Sequence, residues 1–416
     1  MLEFYVQSKL RRGQFRECPA SEYVDGFAGW MRSAGYKRRP GQLRLRGAAH
    51  LGCWAAARGV PTDRISEAVL GAFVRHLASC SCPHAFQGRG RSHQEGGQLF
   101  VTHLRAVGVV LSSPTPAAES EPPVLEQFSA WMRHHRGVRV STLGNYLPLL
   151  HEFVVALGDD AVTYEAAGVR AFVLARAGRA GRGRAKSLVN AVRMFLRFLA
   201  VRGSCPADLP AAVPRIASWR LAALPRYLEA DDIARLLVTC EPDTAAGARD
   251  RAVMLLCVRL GLRAGDVRDL RLGDVDWSRG RLRLLGKGRC ETWLPLPQEV
   301  GDAILHYLER FRPAIGDDHV FLRVHAPLGP LPSSGPISKL VRRAIERAGI
   351  AAPSHGAHVL RHSAATVLLR EDVSLDVIGA VLRHRSAEST AHYAKVDVAR
   401  LWAIAQPWPA AGGAQC

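Results

Sequence analysis

The sequence holds few acids for its bases, few lysines for its arginines, and no long apolar run. Its longest apolar stretch, Ala252 to Leu262, is broken by Arg259, well short of the roughly 20 residues that a membrane-spanning helix needs. We therefore expect no membrane partner. The N-terminus lacks the charged start, apolar run and small-residue cleavage site of a secretory signal. The cysteines number nine, an odd count spread over the chain, which argues against a disulfide framework and for reduced thiols in a cytoplasm. Cys80-Ser-Cys82-Pro-His84 with His93 offers soft ligands, but Cys-x-Cys-x-His is not a standard structural-zinc spacing. The expectation is buried or incidental thiols, with no metal and no cofactor. Scarce lysine beside abundant arginine, alanine, glycine and proline is the mark of a GC-rich coding sequence and carries no mechanism.

What is present points to a globular chain with an anionic partner. Hydrophobic residues make up 48% of the 416 positions, too many for a disordered polymer and enough for two or three domains with cores of their own. The formal net charge is +19 and the isoelectric point near 10.2. A surplus of that size favours a polyanion, because each neutralised phosphate releases counterions; the bland alternative is a surface kept basic for solubility.

Apolar residues recur at helical spacing over Tyr23 to Ala34, Gln42 to Arg58, Ile65 to Ser79 and Gln94 to Val110. These form an expected N-terminal helical domain, residues 1–111. Residues 112–123, rich in Ser, Pro and Glu, read as a linker. Beyond it the pattern repeats: Phe27-Ala-Gly-Trp-Met-Arg32 returns as Phe128-Ser-Ala-Trp-Met-Arg133, and Ala72-Phe-Val74 as Ala171-Phe-Val173. A tandem duplication of one small helical unit explains both matches; chance likeness of two amphipathic segments is the alternative. Ser141 to Tyr146 offers a cap for the second helix of the second unit, 124–203. Its stretch Gly178 to Lys186 reads as a flexible basic turn, with Arg179, Arg182, Arg184 and Lys186 as candidate contacts to a phosphate backbone. Residues 204–227, rich in Ala and Pro, read as an interdomain connection. From Leu228 to 405 the pattern turns mixed: helices, two short alternating runs, Arg281 to Leu285 and Thr292 to Leu296, flanking Gly286-Lys-Gly288 as a hairpin, then helices again. A further apolar-faced helix spans Val396 to Ala405, before a tail of residues 406–416.

The chemistry concentrates near the C-terminus. His358, Arg361 and His362 fall at i, i+3 and i+4, one helix face. A guanidinium there can hold a phosphate with two parallel donors, imidazoles can move protons near neutral pH, and Tyr393 offers a hydroxyl nucleophile. That is equipment for phosphoryl transfer.

His358-x-x-Arg361, then Leu382-Arg-His384, then Tyr393 nine positions on, together with His362-Ser-Ala-Ala-Thr366, resembles the tyrosine recombinase (phage integrase) family. The resemblance implies a mainly α fold: an α+β catalytic domain with a small β-hairpin or sheet, preceded by one or two small helical DNA-binding domains, the second like the family's core-binding domain. It implies that Tyr393 attacks the scissile phosphate and forms a 3′-phosphotyrosyl link, with no metal or cofactor. It carries Arg263 and Arg361 over as the phosphate-binding arginines, Lys287 as the acid for the leaving 5′ oxygen, and His358 as general acid/base. His384 becomes a donor to a phosphoryl oxygen and Asp266 a supporting carboxylate. The family usually has glycine where Arg383 stands, and a large side chain there implies an ordinary helical φ at this position. The implied partners are double-stranded DNA and further copies of the chain up to a synaptic tetramer, with the unusual first 110 residues serving as an extra DNA-binding arm or as a contact to partner recombinases. A type IB topoisomerase and a DNA-binding protein without catalysis are the rival readings.

Overall fold

In the computed structural model the described residues are 1–110, 122–138, 140–216, 225–285, 291–384, 386–391 and 393. They form two compact units, one of residues 1–63, 73–107 and 221–416, the other of 64–72 and 108–220.

The chain opens with α1 (Leu2–Tyr5) and α2 (Lys9–Glu17), neither apparent from the periodicity, then α3 (Ser21–Ser33) and α4 (Arg38–Ala56). A 3-10 turn, Thr62–Arg64, leads to α5 (Glu67–His76), a second 3-10 turn at Leu77–Ser79, and α6 (Arg91–Ala106). α4 and α6 approach closely at Gly47, where a Cβ would stand 2.6 Å from the His93 carbonyl oxygen. After residues 111–121, on which most of the expected linker falls and which lie outside the described residues, come α7 (Pro123–Arg136), α8 (Val140–Leu157), a 3-10 turn at Ala161–Thr163, α9 (Ala166–Gly178) and α10 (Arg182–Val201).

From α3 to α6 and from α7 to α10 the four helices and the 3-10 turn between the second and third follow in the same order, the first array adding a further 3-10 turn at Leu77–Ser79. The ring contacts agree as well. Phe27 meets Phe100 edge-on at 5.3 Å, and Phe128 meets Phe195 edge-on at 5.5 Å. Trp30 lies 6.0 Å from His103, Trp131 lies 5.6 Å from Phe198, and the Trp54–Phe73 pair matches Phe153–Phe172. Equivalent residues thus fill equivalent places in two cores.

The expected flexible basic turn is mostly helix. α9 runs to Gly178 and α10 starts at Arg182, because Ala185, Leu188 and Val189 bury one face and draw the basic residues into the first turns. The start of the expected connection is packed too: Cys205, Leu209 and Val213 are buried in the same core, and Arg193 donates to the Val213 carbonyl at 3.1 Å. Residues 217–224 lie outside the described residues.

The C-terminal region is built on α12 (Ala245–Arg259), which follows α11 (Ala230–Val238) and precedes α13 (Ala264–Asp269). Met254, Leu255, Leu256 and Cys257 are all inaccessible to solvent, so α12 is apolar nearly all round, as a central helix must be. Beside it lies a three-stranded antiparallel sheet of β1 (Val275–Asp276), β2 (Arg281–Leu285) and β3 (Glu291–Pro295), in that order. Leu285 pairs with Glu291; the connection 286–290, with Lys287, lies outside the described residues, as does the expected C-terminal helix. α14 (Gln298–Arg310), α15 (Gly335–Arg347), α16 (Ala357–Arg370), α17 (Leu375–Val381) and α18 (Ala387–Ala391) complete the region. The entry to it is pinned on α16, where Leu228 N–H donates to Ser363 Oγ at 2.8 Å and Arg370 grips Glu229 at 2.6 Å. The N-terminal helices touch this region through Ala34, whose carbonyl accepts the Leu328 N–H at 2.8 Å. No helix among the described residues is long and apolar enough to cross a membrane.

Gly261 ends α12 with φ +59°, and a Cβ there would collide with Leu382. Gly261→Ala is expected to lower stability in urea unfolding by at least about 1–2 kcal/mol, the left-handed cost for an L-residue, plus the strain of moving Leu382. Gly265→Ala, within α13 and with nothing within 4 Å, is the control and is expected to be neutral or stabilising.

Candidate active site

The site is assembled at the end of α12, along α16, and at the end of α17. Arg361 lies on the inner face of α16, only 3% exposed. Its two terminal nitrogens donate to the carbonyls of Gly261 and Leu382. These carbonyls belong to the residues that follow α12 and α17, so one guanidinium fixes both helix ends. Burial, then Arg263, lowers its pKa to about 10, which leaves it cationic at neutral pH. Among the described residues no carboxylate ion-pairs with Arg361 or with Arg263. A buried cation without a counter-ion is costly, and the cost is relieved by an anion arriving from outside.

Arg263 caps α13. Its N–H donates to Asp266 Oδ2 at 3.1 Å, and its Nη2 donates to the Arg383 carbonyl at 3.1 Å. Asp266 also accepts from the Arg383 guanidinium, in a pair whose side chains are 10% and 18% exposed. Asp266 thus sets the backbone of one arginine and holds the side chain of another.

The expectation of an ordinary helical φ at Arg383 is overturned: its φ is +52°. α17 closes in a Schellman motif, with Arg383 N–H donating to the Ala380 carbonyl at 3.0 Å and His384 N–H to the Gly379 carbonyl at 2.9 Å. The motif needs a left-handed residue at this position. The ion pair to Asp266 and the bond from Arg263 offset the strain that a glycine would avoid.

Tyr393 is 2% exposed and packs with Ala365, Leu369, Ile378 and Leu382. Its hydroxyl is 2.8 Å from His362 Nδ1, and burial, opposed by Arg361 and Arg263, raises its pKa. The His384 ring lies parallel to it, centroids 6.2 Å apart, with Nδ1 2.8 Å from Thr390 Oγ1. Burial, then Arg361 and Arg263, lowers the His384 pKa to about 4. His358 stacks on His362 at 5.9 Å; surrounding protein, then the same two arginines, hold it below the usual imidazole value, although much of its ring faces solvent. Thr292, just past the connection that carries Lys287, lines a cavity of about 530 Å³ with Arg383, His384 and Thr390.

The structure therefore brings Arg263, Asp266, His358, Arg361, His384 and Tyr393 together, with Lys287 outside the described residues. Two side chains escaped the sequence reading as participants. The resemblance gave His362 no role although its place on the Arg361 face was visible, and the fixing role of Arg383 was hidden because only the fold brings it to Asp266. Arg179, Arg182, Arg184 and Lys186 lie in the other unit, all exposed around the α9–α10 turn. The groups of potential metal ligands among the described residues, His50/His76/Cys80/Cys82 and Asp317/Asp318/His319, both lie outside this site. The second is already engaged, Asp318 with Arg271 and Asp317 with His319.

The phage integrase family profile matches residues 226–400. The chain is 36% identical to y4rA of Sinorhizobium fredii, named as an integrase/recombinase, over 98% of this chain and 99% of that one. It is 28% identical to the tyrosine recombinase XerC of Syntrophus aciditrophicus, over 68% and 95% of the two chains. Among solved structures, XerH bound to a palindromic difH substrate shares the fold with a TM-score of 0.54 at 18% identity, covering 80% of this chain and 92% of that one. A lambda integrase dimer bound to a core site does so at 0.53 and 20%, covering 65% and 94%.

Arg383→Ala keeps the left-handed strain and loses the Asp266 pair, whereas Arg383→Gly loses only the pair. The alanine variant is expected to be the less stable by about 0.5–1 kcal/mol in chemical denaturation, the left-handed cost to an L-residue less the extra chain entropy that glycine loses on folding. The lowered His384 pKa means that the unfolded chain binds a proton there which the folded chain refuses. Stability from this group is complete above about pH 6.5 and is lost as pH falls toward 4. Melting temperatures across that window are expected to fall less steeply in His384→Asn.

Proposed function

The chain belongs to the phage integrase family of tyrosine recombinases, enzymes that cleave and rejoin DNA in site-specific recombination, and we propose that Tyr393 is its nucleophile. The observation that carries this reading is a buried, uncompensated Arg361 beside Arg263, with the Tyr393 hydroxyl in the same pocket. The scissile phosphate supplies the missing anion. Arg361 and Arg263 neutralise the charge that grows on its non-bridging oxygens, and their main-chain anchors mean that little reorganisation is left for the transition state. His384, neutral near pH 7, donates to one of these oxygens.

The Tyr393 oxygen attacks phosphorus and its proton passes to a histidine, with His362 already in contact and His358 one turn away on the same face. The bond from phosphorus to the 5′ oxygen breaks, and Lys287 supplies the proton that this oxygen takes up. The product is a 3′-phosphotyrosyl ester and a free 5′ hydroxyl. The ester conserves the bond, so attack by a 5′ hydroxyl rejoins a strand without ATP. Asp266 positions Arg263 and Arg383.

Around this centre we read residues 228–405 as the catalytic domain, with 124–203 and 1–111 as duplicated helical domains that contact DNA. The shared element order and ring contacts support the duplication. Arg179, Arg182, Arg184 and Lys186 would touch the phosphate backbone. A lambda integrase tetramer on a Holliday junction supports assembly of this chain to a tetramer on DNA, and a cytoplasmic location follows from the substrate. Topoisomerase and purely DNA-binding activities find no support among the relatives.

On nicked suicide substrates built from the DNA that flanks the gene, wild-type protein is expected to form a covalent adduct. Tyr393→Phe is expected to form none while keeping its DNA affinity, since it loses one hydroxyl. An adduct formed equally by Tyr393→Phe removes the proposed role.

A further inference from the structure

The first helical array holds a polar cluster that its counterpart lacks. His50 on α4 is inaccessible to solvent, as is Cys80 in the segment after α5. Cys80 Sγ lies 3.4 Å from His50 Nε2, and Cys82 Sγ lies 3.2 Å from His76 Nε2. One ligand atom from each of these four residues falls within 4.8 Å of all the others. Zinc bonds of about 2.3 Å to sulfur and 2.0 Å to nitrogen, arranged as a tetrahedron, put ligand atoms roughly 3.3–3.8 Å apart. Of the two close pairs, one stands within that range and the other 0.1 Å short of it.

From these four residues we infer a structural zinc site, His50, His76, Cys80 and Cys82, in the first helical array, separate from the active site.

Comparison of the two arrays isolates the cluster. In the second array the position of Trp54 is taken by Phe153, so that of His50 is taken by Leu149, a buried aliphatic residue. There α9 and α10 are joined by Arg179 to Gly181, whereas in the first array Cys80 to Gly90 intervene before α6 and form no helix or strand. A core histidine and a longer irregular segment occur together, as they would where a metal ties that segment to α4 and α5. A second sign of an absent partner lies alongside. His93 is 8% exposed and His84 half-buried, and among the described residues neither ring has a hydrogen-bond partner for either nitrogen, while both meet the His50 ring edge-on at 5.6 and 4.9 Å. Two thiolates and two neutral imidazoles suit Zn²⁺ in a closed, four-coordinate site. The spacing of Cys80, Cys82 and His84 had argued against zinc because two of the four ligands, His50 and His76, are distant in sequence and arrive by folding. The proposal departs from the expectation of a chain without metal.

The test uses the full-length chain, purified without chelator and with any affinity tag removed. Elemental analysis is expected to find about one zinc per chain, and alkylation followed by peptide mapping to find Cys80 and Cys82 protected until a strong chelator is added. Cobalt-loaded protein is expected to show the visible bands of a tetrahedral thiolate site. Cys82→Ser and His76→Ala, both at the partly exposed edge of the cluster, are expected to lower zinc content, while Tyr393→Phe and Asp317→Asn keep it. Zinc-free protein after refolding with zinc, alkylation indifferent to chelator, or zinc retained by a Cys80→Ser/Cys82→Ser variant would each overturn the site. The wild-type measurements decide the matter even if a variant fails to fold.

Discussion

One buried guanidinium organises the catalytic end of the molecule. By donating to the carbonyls of Gly261 and Leu382, Arg361 fixes the ends of α12 and α17 on α16. Those two ends carry four more residues of the site: Arg263 and Asp266 follow Gly261, and Arg383 and His384 follow Leu382. The same arginine that holds the site together gives it its charge. Because no carboxylate pairs with it among the described residues, the pocket is stable enough to persist yet electrostatically unsatisfied. This is the state in which a transferred phosphate gains most from binding.

The two helix ends solve one geometric problem in different ways. Each needs a left-handed residue to turn the chain back toward Arg361. At Gly261 the turn requires glycine, both for φ and because Leu382 leaves no room for a Cβ. At Arg383 the turn is made by a large residue whose side chain is held by Asp266 and whose carbonyl serves Arg263. Strain is thereby exchanged for a contact between the two halves of the pocket, a local stabilisation that a glycine could not provide.

The legible part of the fold was the part with strong period. α3, α4 and the β2–β3 pair were readable within a few residues because their apolar positions recur at 3.6 or 2. α1 and α2 were not readable, since α1 is a single turn and α2 buries only Phe15. The site was legible as residue types in order, and the resemblance rested on that order. It was illegible wherever partners are far apart in sequence: Arg383 with Asp266, or His50 with Cys80. The φ at Arg383 was misread because side-chain size was weighed without the ion pair that offsets it. His362 was visible on the right face, but its partner across the bend of the chain was not.

The central claim is that Arg361 is present to neutralise charge on the scissile phosphate. It is tested most directly by comparing Arg361→Ala with wild type on a normal linkage and on one in which a methylphosphonate removes that charge. The account predicts that Arg361→Ala loses cleavage of the charged linkage by about 10²-fold or more and loses markedly less on the neutral one, where only its clasp on the ends of α12 and α17 is missing. Equal loss on both linkages would contradict it and leave Arg361 as a purely structural clasp.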